Sequence, residues 1–186
     1  MYARSIGERE FTFDFASGLI DDNLLVVDRE TNSVWSQLAG KAVFGEMEGT
    51  PFAAMPSTQA TWKFWREQHP DTRVMVIEGR EGRPYLYQDF TPGERRQRTG
   101  EHDTSTVGLG LAVGGDAWYF PFAELEKART PLTRTIGGQQ LTIGYHAEGM
   151  TAWATDADGN TLVTVIAYER GWISFFPESK RYEAGR

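Results

Sequence analysis

The sequence predicts an α+β fold that consists mostly of short antiparallel strands, with two or three short helices. Three observations favour this fold class. Short apolar segments recur along the chain, and residues 11–15 alternate aromatic and polar side chains with the period of two that is typical of a half-buried strand. The 20 glycines and 8 prolines supply turns between those segments. Only a few stretches change to the 3.6-residue period of a helix.

The first half of the chain opens with a predicted hairpin. Residues 11–15 alternate aromatic and polar side chains, and residues 24–27 form an apolar second strand after a turn-rich segment. Two further short strands are expected at 42–44 and 50–54. Together these segments predict a small antiparallel sheet.

One helix is expected in the first half, from Thr58 to Gln68. Ser57 is the predicted N-cap, because its hydroxyl can accept a free backbone N–H of the first turn. Pro70 is expected to end the helix, since proline restricts the residue before it and has no N–H to donate. A strand is predicted next, at 72–77.

The second half is predicted to contain hairpins and two short helices. Strands are expected at 107–113, 117–120, 132–136, 140–145, 150–155 and 161–166. Gly-Gly pairs at 114–115 and 137–138 mark two of the turns. One helix is expected to start at Pro121, whose missing N–H costs nothing in a first turn, and to end at Lys127. Another is expected at 168–176.

A single domain over residues 1–186 is expected, since domains usually have about 100–200 residues. Within it the sequence predicts two halves, 1–77 and 104–183, joined by a polar surface excursion at 78–103. Gly7–Phe13 resembles Gly137–Ile143, and this faint similarity indicates two related β-rich halves.

Composition excludes several classes of protein. The chain has no cysteine, so disulfide scaffolds, thiolate zinc sites and cysteine nucleophiles are excluded. With 19 basic and 26 acidic residues the net charge is −7, which argues against nucleic-acid binding. No apolar run approaches the roughly 18 residues of a membrane span. The first ten residues do not form a signal peptide, although an extracytoplasmic location stays open if a signal was removed.

Trp62, Trp65 and His69 fall on one face of the predicted helix, because successive residues turn by about 100°. Two interpretations are open. The three side chains form an aromatic wall on which a ring or a sugar stacks, or they form the buried face of an amphipathic helix. Aromatic stripes at helical spacing usually belong to the core, which favours burial.

Trp35 and Gln37 follow a polar turn and are predicted to join the same ligand pocket, by ring stacking and one amide hydrogen bond. In the alternative interpretation Trp35 is a plug over the sheet. The preceding Asp28-Arg29-Glu30 segment also has two interpretations: its carboxylate and guanidinium capture a ligand, or it is a solvated turn with a local ion pair, which is the more ordinary account.

No metal site and no cofactor are predicted. His102, Asp103 and His146 are the remaining candidates for a metal, but no His-x-His, His-x-x-x-His or Glu-x-x-His spacing is present. The sequence also has no P-loop and no Gly-x-Ser-x-Gly elbow.

Several blocks of the chain resemble an uncharacterised prokaryotic family known only as a domain of unknown function. The blocks are Asp28-Arg29-Glu30-Thr31, Ser33–Gln37, Gly40–Gly45, Thr61-Trp62 with Trp65 and His69–Thr72, and Gly114–Pro121. The resemblance covers nearly the whole chain. It implies a shared fold and domain extent, without a known activity.

The resemblance also implies a Cys-x-x-Cys-like motif shortly before the Gly7–Phe13 hairpin, which would fall just before Met1. This expectation leaves two hypotheses for function. The first is an accessory or binding domain that takes a small molecule or a protein partner in an aromatic pocket. The second is a fragment of a redox or metal-dependent enzyme whose cysteine motif lies upstream of Met1.

Overall fold

A computed structural model describes residues 1–20, 23–74 and 106–185 of the chain. These residues contain thirteen strands and three helices. The strands form a two-stranded ribbon, one three-stranded sheet and two four-stranded sheets. Every strand pair except one is antiparallel. The predicted α+β class, with mostly short antiparallel strands, is therefore confirmed.

The first half forms the ribbon and one of the four-stranded sheets. Its strands are β1 (Ser5–Ile6), β2 (Arg9–Glu10), β3 (Phe13–Ile20), β4 (Asn23–Asp28), β5 (Val34–Ser36) and β6 (Lys41–Phe44). The last four pair in chain order as a meander. β3 and β4 bear out the predicted hairpin, although β3 runs on to Ile20 through an irregularity between Phe15 and Leu19.

The strand predicted at 50–54 is wrong, because only isolated bridges occur there. Pro51 bridges to Lys41 and Ala54 bridges to Tyr2. Proline has no N–H to donate to a ladder, so a continuous strand is disfavoured at this point.

Helix α1 (Trp62–Gln68) starts four residues later than predicted. Its N-cap is Thr61, whose hydroxyl accepts the N–H of Phe64, while the Ser57 hydroxyl accepts a hydrogen bond from the amino terminus. The Thr61 N–H donates to the carbonyl of Gly149 at 2.8 Å, and this contact fixes the residue before the helix. The helix ends before Pro70, as predicted. Residues 72–74 are not in a strand, and 75–77 lie outside the described residues.

The second half forms two sheets and two helices. Its elements are β7 (Val107–Val113), β8 (Asp116–Pro121), α2 (Phe122–Lys127), β9 (Leu132–Ile136), β10 (Gln139–His146), β11 (Thr151–Thr155), β12 (Val165–Tyr168), α3 (Glu169–Phe175) and β13 (Lys180–Arg181). One sheet has the order β12-β7-β8-β13, with β13 parallel to β8, and the other has the order β11-β10-β9.

Most elements predicted for this half are present within one or two residues. One prediction is wrong: Thr161 forms only an isolated bridge to Thr155, and the strand expected at 161–166 is instead Val165–Tyr168. Pro121 is the N-cap of α2 rather than its first residue. The excursion predicted at 78–103 lies outside the described residues.

Three apolar clusters hold these elements together. The largest joins the two sheets of the second half around Leu109, Phe120 and Ile143. A second cluster surrounds Trp35 in the first sheet. The third brings Leu38 of the first half against Tyr119 and Trp172 of the second half, so apolar contacts connect the two halves.

The three helices of the described residues have six or seven residues each. None of them is long and apolar enough to cross a membrane.

Candidate functional site

Helix α1 has two opposite faces. At about 100° per residue, Trp62, Trp65 and His69 cluster on one side, and Lys63, Phe64, Glu67 and Gln68 cluster on the other. We call the first the aromatic face and the second the packing face.

The packing face rests on the turn between β10 and β11. The Phe64 ring lies 4.5 Å from the His146 ring, measured between centroids. The Thr61 hydroxyl donates to the backbone carbonyl of Glu148, and the Thr61 N–H donates to the neighbouring carbonyl of Gly149. A Cβ atom on Gly149 would lie 2.8 Å from Phe64, so glycine is the residue that allows this close approach. One aromatic ring and one N-cap residue thus position the helix.

The aromatic face is turned away from this contact. The Trp62 side chain is 51% exposed. Trp65 is half-buried, and its indole N–H donates to the Thr72 hydroxyl at 2.9 Å. The exposed His69 ring lies 4.1 Å from the Trp65 ring and is inclined to it by 37°. No side chain of α1 is buried, so the favoured interpretation of a buried aromatic stripe is wrong.

Trp35, in β5, is buried in the apolar cluster on the sheet formed by β3 to β6. Its side chain is 0% exposed and contacts the rings of Phe11, Phe13 and Phe52. Gln37 is exposed nearby, and its backbone carbonyl accepts a hydrogen bond from the Tyr2 hydroxyl. No ring contact or hydrogen bond among the described residues links Trp35 or Gln37 to α1. The five predicted site residues therefore occupy two separate places.

Asp28 is a buried carboxylate, although its sequence context is that of an ordinary turn. It is 0% exposed, and its oxygens accept hydrogen bonds from the Trp35 indole N–H at 2.7 Å and from the N–H and hydroxyl of Thr31. Burial by itself raises the pKa of Asp28, but the hydrogen bonds from Trp35, Thr31 and Ser33 outweigh it and hold the pKa below the usual value. Asp28 therefore anchors the turn and the Trp35 ring.

Arg29 and Glu30, which follow Asp28, are exposed, as expected for a solvated turn. Arg29 forms a surface ion pair with Asp14, and that contact holds the pKa of Asp14 below its usual value. The Glu30 carboxylate accepts the N–H of Thr12, which lowers the pKa of Glu30. These contacts fasten β3 and the residue before it to the turn after β4.

A cleft of about 250 Å³ opens between α1 and the turn after β10. Six of its seven lining residues have polar or charged side chains, and the lining comprises Thr61, Lys63, Phe64, Glu67, Gln68, His146 and Glu148. The Nδ1 atom of His146 accepts the N–H of Gly149 at 3.1 Å. In the neutral ring the proton is therefore on Nε2. The sequence gives no signal for this cleft, since its two walls are about 80 residues apart along the chain.

The structure describes one of the three metal candidates predicted from the sequence. His102 and Asp103 lie outside the described residues, and His146 faces the Phe64 ring. In the part of the chain that the structure describes, no three His, Asp or Glu side chains are arranged to hold a metal ion.

Comparison with known proteins gives a family and no activity. A family model described as a protein of unknown function (DUF3179) matches residues 1–179. No curated protein and no solved structure matches the chain.

Proposed function

The chain belongs to the DUF3179 family of proteins of unknown function, and we propose that it is a binding domain that stacks a ring-shaped ligand on the aromatic face of α1. The observation that carries this proposal is the orientation of the helix. Its aromatic face points outward while Phe64, on the opposite side, makes the contact with the body. Of the four tryptophans outside this helix, Trp35 and Trp172 are almost completely buried, Trp118 is half-buried and Trp153 is 40% exposed.

The geometry of the aromatic face supports stacking. The hydrogen bond to Thr72 and the His69 ring hold the Trp65 indole in one orientation, so little side-chain entropy is lost when a ligand binds. Trp62 presents half of its surface to solvent one helical turn away. Flat rings of this kind bind sugars and heteroaromatic rings through their faces.

Arg66 adds a polar contact to the same side of the helix. It lies about 40° from Trp62 on the helical wheel, on the side away from His69, and its side chain is exposed. A guanidinium has five donors in a planar fork, which suits hydroxyl and carboxylate oxygens at the edge of a ring. The proposed site therefore consists of Trp62, Trp65, Arg66 and His69.

The test is a titration followed in the indole N–H region of a ¹H–¹⁵N spectrum. Each tryptophan signal is first assigned with single Trp→Phe variants. The probes are glucose, N-acetylglucosamine, their disaccharides, and adenosine as a heteroaromatic ring. We expect at least one probe to move the Trp62 and Trp65 signals, and Trp153, which is 40% exposed in strand β11, to serve as the internal control.

Two variants decide whether such shifts come from the aromatic face. Trp62→Ala should abolish binding and leave the melting temperature unchanged, because the side chain is exposed. Trp153→Phe should leave binding unchanged. The proposal fails if no probe moves the Trp62 and Trp65 signals, or if binding survives Trp62→Ala.

A further inference from the structure

The cleft on the packing face of α1 has a charge pattern that the aromatic face lacks. Glu67 projects from the helix wall and Glu148 from the turn wall, with Lys63 as the single cation. With His146 neutral, the formal charge of the lining is 1 − 2 = −1. Within the described residues none of these three charged groups forms an ion pair. Among the residues that the structure describes, the two carboxylates therefore have no cationic partner.

Two aromatic rings complete the cleft. Phe64 and His146 lie 4.5 Å apart and both contribute to its lining. The faces of aromatic rings attract organic cations, and the attraction strengthens when a nearby surface excludes water. The Nδ1 atom of His146 accepts the Gly149 N–H, and this hydrogen bond fixes the orientation of the ring in the wall of the cleft.

The size of the cleft limits the ligand. Its volume of about 250 Å³ is below the roughly 300–1,000 Å³ of pockets that hold drug-sized molecules. A group as large as one basic side chain fits this space better than a larger ligand. The net charge of −7 also attracts cations to the protein over longer distances.

We propose that this cleft binds an alkylammonium or alkylguanidinium group between Glu67 and Glu148, over the Phe64 and His146 rings. Such a group is present in free amines and guanidines and in the lysine or arginine side chain of a protein partner. The site is separate from the ring site on the aromatic face, so Trp62→Ala should leave it intact. Failure of one proposal therefore leaves the other standing.

The test uses the full ¹⁵N-labelled chain and three probes at constant ionic strength. These are n-butylguanidinium chloride, the peptide acetyl-Gly-Arg-Gly-amide, and sodium butyrate as a ligand of similar length and opposite charge. We expect the two cations to move backbone signals of residues 61–68 and 146–149, and butyrate to leave them unmoved. A peptide that binds more tightly than the free guanidinium indicates a protein partner, and the reverse order indicates a small molecule.

Charge variants on the cleft give the sharper result. Glu148→Gln and Glu67→Gln should each weaken binding of the guanidinium by about two- to fivefold, as expected for one exposed charge pair. Glu178→Gln is the matched control, since it makes the same change in net charge at an exposed position outside the cleft. Lys63→Met should strengthen binding, because it removes the single positive charge of the lining, and Lys41→Met is its control.

The direction of the Lys63 effect distinguishes a cation site from an anion site. The proposal is overturned if Lys63→Met weakens guanidinium binding, or if butyrate binds as well as the cations. It is equally overturned if Glu148→Gln and Glu178→Gln have the same effect, since bulk charge would then explain it, or if no cation moves the signals of the cleft.

Discussion

Replacing Asp28 by asparagine should destabilise the protein by about 3 kcal/mol at neutral pH. Both oxygens of the carboxylate are acceptors: Oδ1 receives the N–H of Thr31 and Oδ2 receives the indole N–H of Trp35. Asparagine keeps the shape but replaces one oxygen by an NH₂ group. In either orientation of the amide a buried donor therefore faces another donor.

The magnitude follows from two contributions. A buried donor left without an acceptor costs about 1–3 kcal/mol, and hydrogen bonds to a charged group are stronger than neutral ones by about 1 kcal/mol. For a chain of 186 residues, a loss of about 3 kcal/mol corresponds to a decrease of roughly 6–12 °C in the melting temperature.

The cost should also depend on pH. The pKa of Asp28 is lowered in the folded protein, so the folded state binds this proton less tightly than the unfolded chain. The stabilisation from a depressed carboxyl pKa is fully present above the unfolded value of about 3.9, and it is lost as the pH falls through the folded pKa. The difference between wild type and Asp28→Asn should therefore be largest near pH 7 and should shrink below about pH 4.

Urea unfolding at neutral pH and at a series of acidic pH values measures this difference. Asp14→Asn is a suitable control, since Asp14 is also a carboxylate with a lowered pKa but its ion pair with Arg29 lies on the surface. A surface pair contributes little to stability. Equal losses for the two variants at pH 7 would refute the reasoning, as would a loss for Asp28→Asn that does not change with pH.

Three further predictions concern other parts of the fold. Gly110→Ala should cost about 1–3 kcal/mol in urea unfolding, because its Cβ would lie 2.3 Å from the Trp172 ring. Trp62→Ala should change the unfolding free energy by less than about 0.5 kcal/mol, despite the size of the side chain. Asp156→Ala should speed hydrogen exchange at the Asn160 amide, whose N–H donates to the Asp156 carboxylate at 2.8 Å.

The strands that the sequence predicts correctly are those with local signals. Residues 107–113 and 117–120 are two apolar runs on either side of a Gly-Gly turn, and both glycines adopt the positive φ that such a turn needs. The start of α1 has no comparable local signal. Ser57 and Thr61 are both acceptable N-caps, and the choice depends on the contact of Thr61 with Gly149, which is distant in sequence.

In the candidate site too, local sequence signals predict only part of the arrangement. Helical spacing predicts that Trp62, Trp65 and His69 share a face, and in the structure they do. Spacing does not show which face turns toward the body of the protein. That orientation depends on Phe64, on the other side, which packs on His146 and Gly149, and on the contacts of the N-cap Thr61. Similarly, the turn before Trp35 gives no sign that its indole is held inside by Asp28.

The two proposed sites depend on one joint, the contact of Thr61 and Phe64 with residues 146–149. A helix of seven residues is too short to be stable by itself, since isolated helices shorter than about 12–15 residues are marginal in water. The position of α1 therefore rests on Thr61 and Phe64 at the turn formed by residues 147–149. Changes to Trp62 or to Glu148 affect one face of the helix and leave this joint intact, so their effects on binding can be assigned to separate sites. A change at Phe64 or Gly149 acts on the joint, so it cannot distinguish the two sites.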